Sequence, residues 1–358
     1  MDRFREFFSG VADPRAANLQ FDFVTVLMIA QLAMLCGAEN CSDMADFGRS
    51  KEKFLRRVLR LPHGVPSHDT FSRVFRHLDP ESFAEAFARF SQAFAENLQG
   101  VVAIDGKAVR GAHERGAKTT PLHLVNVWAA EARLAIGQHT APGRNEVQGA
   151  LRALKLLSLE GCIVTADALH CRHDTAKAIL ATRADYALTI KKNQKNLYRT
   201  AEALFAGRRA KSSVRTKLQR AHDRKERRSA AVIPVEGLSF PGIKAIARVE
   251  TLRTSHDDKT LAIVRFFALS ACFTAKKALA IARTHWSIEN QLHWVLDVQL
   301  GEDAARTRKD HGPENLAILR KIALNLLRTH KDKASIRRKI KKAGWDDTFL
   351  LELIAHMR

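Results

Sequence analysis

The sequence predicts an α/β protein: a mixed sheet with flanking helices, an all-helical N-terminal region and a β-rich insertion. Three observations predict it. Residues 1–96 carry their apolar residues at helical spacing. From Val101 to Ile190, short apolar runs alternate with helical patterns in the order β-β-β-α-β-α-β, which requires both antiparallel and parallel neighbours with helices covering the sheet. Residues 191–270 then return to strand-like segments before helical periodicity resumes at Thr274.

In the N-terminal region, Phe21 to Cys36 reads as a buried helix and Ser50 to Arg60 as an amphipathic, basic one closed by Pro62 and Gly64. Pro66 and Ser67 supply a start signal for a third, with Phe71, Val74, Phe75 and Leu78 at helical spacing. Asp79-Pro80-Glu81 ends it and starts a fourth, whose Phe83, Phe87, Phe90 and Phe94 form one stripe. The region reads equally as a DNA-end-binding module or as a helical packing module.

The sheet begins with Val101 to Ile104, followed by strands His123 to Trp128 and Arg133 to Gln138. A helix spans Glu146 to Leu157, a strand Ile163 to Ala166, a helix Asp174 to Thr182 and a fifth strand Tyr186 to Ile190. Within 191–270, the segments Ala230 to Val235, Ile243 to Thr251 and Leu261 to Leu269 read as strands of the insertion. The chain is then helical to about His330, and residues 331–358 form a basic, amphipathic tail.

Composition narrows the function. The formal net charge is +21 and 46% of residues are hydrophobic, so a sizeable core coexists with a strongly basic surface. The charge is clustered: residues 207–228 and 331–342 together carry 14 of the 21 net charges, which favours nucleic acid as partner. Five cysteines without a Cys-x-x-Cys pair argue against a disulfide framework or a zinc ribbon. The residues from Met1 to Gly10 lack the apolar core of a signal peptide, and Val24 to Cys36 is too short to span a bilayer. The expectation is a cytoplasmic, nucleoid-associated protein with no membrane partner.

Phosphodiester cleavage with magnesium needs several carboxylates converging on two ions about 4 Å apart. Asp105 and Asp167 each follow a short apolar strand, where open sheets bind ligands, although an aspartate there also serves as a turn former or helix cap. The segment Arg283 to Asp297 is a denser signal. On a regular helix His285, Glu289, His293 and Asp297 share a face, beside Trp286 and Trp294. A zinc site from His285, Glu289 and His293 is a rival grouping, without the spacing of the zinc proteases. A structural helix whose histidines pair with carboxylates is the plain alternative.

At these residues the chain resembles the DDE transposases of the H-repeat-associated insertion-sequence family. Ile104-Asp105-Gly106-Lys107 with Arg110 resembles that family's first-aspartate motif, and Thr165-Ala166-Asp167-Ala168-Leu169-His170 the second. Lys191-Lys192-Asn193-Gln194 is similar to its Lys-x-Asn-Gln signature. His285 to Val298 resembles the third and most specific motif, continued by Glu302-Asp303, Arg306, Arg308, Asn315 and Ala323-Leu324-Asn325. Pro66 to Phe71 resembles part of the family's associated domain.

The resemblance implies a ribonuclease-H-like catalytic domain over 97–330, with Asp105, Asp167 and Glu289 as catalytic, metal-binding triad. It implies two Mg2+ ions, with Mn2+ as substitute. Asp105 would bridge the ions, Asp167 would hold one and Glu289 the other. The 122 residues separating Asp167 from Glu289 fit an insertion between core strand and catalytic helix. Double-stranded DNA is the implied partner, as terminal repeats and target, bound by a homodimer or larger assembly. Lys107 and Arg110 would contact phosphates near the cut. Lys191, Asn193, Gln194 and Arg224 would contact DNA, and His285, Asn290 and His293 would orient DNA or metal ligands.

Three departures bear on DNA contacts rather than on the triad. Asp223 stands where a His-Gly-Arg motif has glycine, Arg172 where glutamine is common, and Ala282, His285 and Leu296 where the related Tyr-Arg-Glu-Lys signature has Tyr, Arg and Lys. A magnesium nuclease without strand transfer, or a catalytically inactive copy that only binds DNA, is compatible with the same residues.

Overall fold

The computed structural model describes residues 2–15, 20–94, 98–112, 121–207, 210, 212–221, 224–254 and 259–355. Six helices lead: α1 (Asp2–Phe8), α2 (Phe23–Leu35), α3 (Cys41–Ser50), α4 (Glu52–Val58), α5 (His68–His77) and α6 (Pro80–Gln92). Their starts follow from capping side chains that accept otherwise unpaired N–H groups. Asp22 accepts from Thr25, Asn40 from Ser42 and Asp43, Ser67 from Thr70, and Asp79 from Glu81 and Ser82. The phenylalanine stripe of α6 is buried, and Phe90 packs on Phe4, Phe7, Phe8 and Phe94 with ring centroids 4.8–5.8 Å apart.

The sheet comprises β1 (Gly100–Val109), β2 (Leu122–Ala129), β3 (Leu134–Thr140), β4 (Cys162–Ala166) and β5 (Asp185–Ile190), with α7 (Glu146–Lys155) before β4 and α8 (His173–Ala181) after it. Beyond β5 come α9 (Lys195–Gly207), β6 (Ser212–Arg215), β7 (Gln219–Ala221), β8 (Arg224–Pro234), β9 (Ala245–Thr254) and β10 (Thr260–Leu269). Among the described residues the order is β3-β2-β1-β4-β5-β10-β9-β8-β6, with β7 paired to β8. β4 is parallel to both β1 and β5, and the other pairs are antiparallel.

Two expectations need correction here. β1 does not stop at Ile104: its pairing to β4 ends at Ile104↔Ala166, but its antiparallel ladder with β2 continues from Asp105↔Asn126 to Val109↔Leu122. The segment 191–270, read as β-rich, opens with a helix, α9. β10 pairs directly with β5 from Phe266↔Ile190 to Leu269↔Ala187, so the extension continues the one sheet. Backbone groups at the open edge of β5 would otherwise lack partners.

The expected helix to His330 is broken as well. α10 (Ala275–His285) passes through a π-helical turn, Ile288–His293, into α11 (Trp294–Leu300); after Gly301 the chain leaves the helix and re-enters as α12 (Gly312–Thr329). Gly301 adopts φ 62°, a left-handed conformation that ends α11 and lets Glu302 N–H donate to Leu296 O at 3.0 Å. The basic stretch after residue 331 folds as α13 (Ile336–Trp345) and α14 (Asp347–Leu353). Asp347 ties this end to α4 and the residue before it, through Arg57 at 3.1 Å and Lys51 at 2.9 Å.

α12 is buried along almost its whole length between the N-terminal helices and the sheet. Two of its buried asparagines bond to backbone groups of neighbouring elements. Asn315 donates to the carbonyls of Phe75 and Leu78, both at 2.9 Å. Asn325 accepts from Ala135 N–H at 2.9 Å and donates to Ala135 O at 2.7 Å, sealing the edge strand β3. One face of the sheet thus packs against α6, α10 and α12, the other against α7, α8 and α9. Asn325→Ala removes two partners of a buried peptide unit, and a loss of about 3 kcal/mol is expected in urea unfolding; an unchanged midpoint would refute this account of the β3 edge.

Candidate functional site

Along β1, Val101 and Ala103 face α10, whereas Val102 and Ile104 face α7. Strand alternation therefore turns Asp105 toward α10. The β1–β4 register sets Asp167, one residue beyond Ala166, beside it. Asp167 is half-buried and accepts from Leu169 N–H at 2.8 Å, so the aspartate also caps the short turn Ala168–His170. Glu289 stands exposed on the π-helical turn, within electrostatic reach of Asp105.

The coupling is visible in Asp105. Burial first, then the charges of Glu289, Asp167 and Glu146, raise its carboxyl to about 7, against one favourable hydrogen bond from Gly106. Like charges gathered in a half-buried site disfavour ionisation of the central member. Among the described residues, no three His, Cys, Asp or Glu side chains already stand in a metal-ligand arrangement. The donors are nevertheless hard carboxylate oxygens whose mutual repulsion a divalent cation would relieve, and they fit magnesium or manganese.

The π-helical turn separates residues that a regular helix would align. Its wider ring is seen where Trp294 N–H donates to Glu289 O, five residues back. His285 Nδ1 lies 3.1 Å from Thr165 Oγ1, under β4, while His293 lies 3.7 Å from Asp105 and 3.3 Å from Asn126. The rival grouping of His285, Glu289 and His293 is therefore not assembled. Burial pushes His285 down to about 4, with Asp167 pulling the other way, and His293 down to about 3, aided by Lys107. Both are neutral and act as hydrogen-bonding supports. The turn is anchored on either side of Glu289: Trp128 Nε1 donates to Ser287 Oγ at 3.0 Å, and Arg328 donates to Gln291 O.

Lys107, expected at DNA phosphates, is placed elsewhere. It shares the Asp105 face of β1, is 8% exposed, and its ammonium is ion-paired to Asp297 and Glu302. Glu302 is fully buried and also meets Lys321 of α12 at 3.3 Å. Burial alone would raise Glu302, but Lys321 and Lys107 outweigh it and hold it at about 2. Asn193 and Gln194 donate to Ala168 O at 3.1 and 2.9 Å, so they clamp the Asp167 turn from the loop after β5. Arg110 is 84% exposed and Lys191 is exposed, both open to a ligand. Asn290 is exposed and donates to Trp286 O at 3.3 Å. Arg224 opens β8, but its side chain, like residues 222 and 223, lies outside the described residues.

Sequence reasoning missed two parts of the site. Glu146, at the start of α7, is among the charges acting on Asp105; its only sequence signal was an acidic residue in a helix's first turn. A cleft of about 420 Å3 flanks Glu289, lined by Arg228, Arg253, Arg265, Arg283, Trp286 and Asn290. Arg265 stacks 5.2 Å from the Trp286 ring centre. These residues converge only when β8–β10 fold beside α10.

A half-buried aspartate within β1, a second just beyond the neighbouring parallel strand β4 and a glutamate on a helix against that face define a carboxylate-centred α/β domain. The chain belongs to the DDE transposases: the family described as "Transposase DDE domain" matches residues 96–326, and "DDE_Tnp_1-associated" matches residues 5–91. It is 31% identical to "Putative transposase YncI" of Escherichia coli O157:H7, over 92% of this chain and 88% of that one. It is 30% identical to "H repeat-associated putative transposase YhhI" of E. coli strain K12, over 92% of this chain and 91% of that one. Among the described residues no helix is long and apolar enough to cross a membrane.

The Lys107–Glu302–Lys321 network yields a signed prediction. Because Glu302 titrates below its ordinary 4.5 when folded, its contribution is complete above about pH 4.5 and is lost as pH falls toward 2. Glu302→Gln leaves two buried ammonium groups short of a partner, and should cost about 3–5 kcal/mol at pH 7. The variant should also lack the part of the wild-type decline in stability between pH 4.5 and 2 that Glu302 supplies, as read by urea unfolding across that range; equal acid slopes would refute the network's role.

Proposed function

We propose that the chain is an insertion-sequence transposase that binds element ends, cleaves DNA strands and transfers them by metal-dependent phosphodiester chemistry. The observation that supports this reading is that Asp105, Asp167 and Glu289 come from three elements far apart in sequence, with Asp167 in register beside Asp105 and Glu289 within electrostatic reach of it. The order β3-β2-β1-β4-β5, antiparallel through the first three strands and parallel beyond, with helices on both faces, supports a ribonuclease-H-like core.

Asp105, Asp167 and Glu289 would hold the magnesium ions, for which manganese is a substitute. When bound, these supply Lewis-acid stabilisation of charge at the scissile phosphate. The remaining work falls to the chain. His285 supports β4 through Thr165, and His293 supports Asp105 while remaining neutral. Asn193 and Gln194 fix the turn that presents Asp167. Arg110, Lys191 and the arginines of the cleft beside Glu289 present positive charge to phosphates, which holds a duplex without reading its sequence. Strand transfer joins two element ends to a target, so the active form is a dimer or larger assembly on DNA.

The test uses purified protein, a labelled element-end duplex and magnesium. Asp105→Asn, Asp167→Asn and Glu289→Gln should each reduce cleavage at least about a thousandfold, some 4 kcal/mol of transition-state stabilisation, with duplex binding retained. A joined product supports transposition. Cleavage without joining would reduce the reading to a nuclease, and salt-sensitive binding without cleavage to an inactive copy. Arg265→Ala with Arg283→Ala should weaken duplex binding and flatten the dependence of log affinity on log salt by up to about two units. An unchanged slope would remove the cleft from the DNA path.

A further inference from the structure

The site is approached by a fourth carboxylate, from the opposite face of the sheet. Gly106 follows Asp105 on β1, and strand alternation directs it toward α7. A Cβ built at Gly106 would stand 2.4 Å from the Glu146 carboxyl carbon and 2.5 Å from its Oε2. The missing side chain is therefore a notch in the sheet that the Glu146 carboxylate fills. Val125, which faces Gly106 across the ladder, meets α7 just as closely: a Cβ at Gly149 would stand 2.8 Å from its Cγ2. α7 is thus pressed against the strands at the position that drives its first residue into the notch.

His123 Nε2 lies 2.6 Å from Glu146 Oε1, a charge contact without hydrogen-bond alignment, and Glu146 is 22% exposed. A second and independent feature marks the same spot as a place for a ligand. His170, three residues beyond Asp167, is 1% exposed, and neither of its ring nitrogens has a hydrogen-bond partner. Its Nε2 is 3.8 Å from Glu146 Oε2. Buried polar atoms without partners are rare and signal a missing ligand, water or ion. An acidic residue in a helix's first turn is explained by the helix dipole alone, but the dipole requires neither the notch nor two histidines against the carboxylate.

We propose that Glu146 is a fourth carboxylate of the metal centre, reaching a divalent ion beside Asp105 through the notch at Gly106, with His123 orienting it. This rests on the metal-dependent reading above and adds a residue to it. His170 lies close enough to share the ion's surroundings with Glu146 and Asp167.

The test is Mn2+ binding to the full-length protein by calorimetry, checked by the electron paramagnetic resonance of free Mn2+. Wild type should bind two ions per chain. Glu146→Gln should weaken one of them about tenfold or more, the scale for loss of a supporting or ligating group, with an unchanged circular dichroism spectrum. Gly106→Ala should do the same, because its methyl group occupies the carboxylate's space. Glu160→Gln, an exposed glutamate paired to Arg183 at 3.3 Å, should bind as wild type. If Glu146→Gln and Gly106→Ala bind both ions with wild-type affinity, the inference falls and the three-carboxylate reading stands. If wild type itself binds no Mn2+, and Asp105→Asn changes nothing, both fall together.

Discussion

The buried ammonium of Lys107 is the constraint around which the site is arranged. It lies two residues after Asp105 on the same face of β1, and it meets Asp297 of α11 and Glu302 just beyond. A lysine this deep is tolerated only when its charge is matched, because desolvating an ion costs several kcal/mol. The matching residues follow Glu289 by 8 and 13 positions. Satisfying Lys107 therefore brings the helix bearing the third carboxylate onto the strand bearing the first. Lys321 extends the same charge pairing into α12, the helix that joins the sheet to the N-terminal helices.

Close to that balanced network lies an unbalanced one. Asp105, Asp167, Glu289 and Glu146 gather negative charge at one end of the sheet, and Asp105 responds by holding its proton to about pH 7. Folding tolerates such a cluster because the surrounding structure overdetermines it: the neutral histidines, the clamp from Asn193 and Gln194 and the anchored π-helical turn each fix a neighbour. Local rules broken at one place and compensated around it are expected at functional sites. Four arginines line the cleft beside the π-helical turn, where a polyanion could meet them.

Much of the fold was legible. Helix starts at Ser67 and Asp79 were written in capping residues, and the five strands from Val101 to Ile190 in apolar runs. Pairing was not legible, since periodicity records which face of an element is buried but not which neighbour buries it. For that reason β1 ran on past Ile104, and only the pairing of β10 with β5 showed where the strands beyond residue 210 join the sheet. The π-helical turn was also hidden: residues four apart were read as one face, and the inserted residue sent His285 under β4 and His293 toward Asp105.

The sequence by itself determined much of the order of elements and the basic character of the chain, because propensity and charge are local properties, and its ordered motifs singled out three acidic residues through a family resemblance. Only the tertiary structure decided what surrounds those acids. Lys107 became a buried counter-ion, Asn193 and Gln194 became a clamp, and Glu146 came within reach through the gap at Gly106. Each of these depends on contacts between residues 25 to 195 positions apart, which burial and sheet register select and no local pattern encodes.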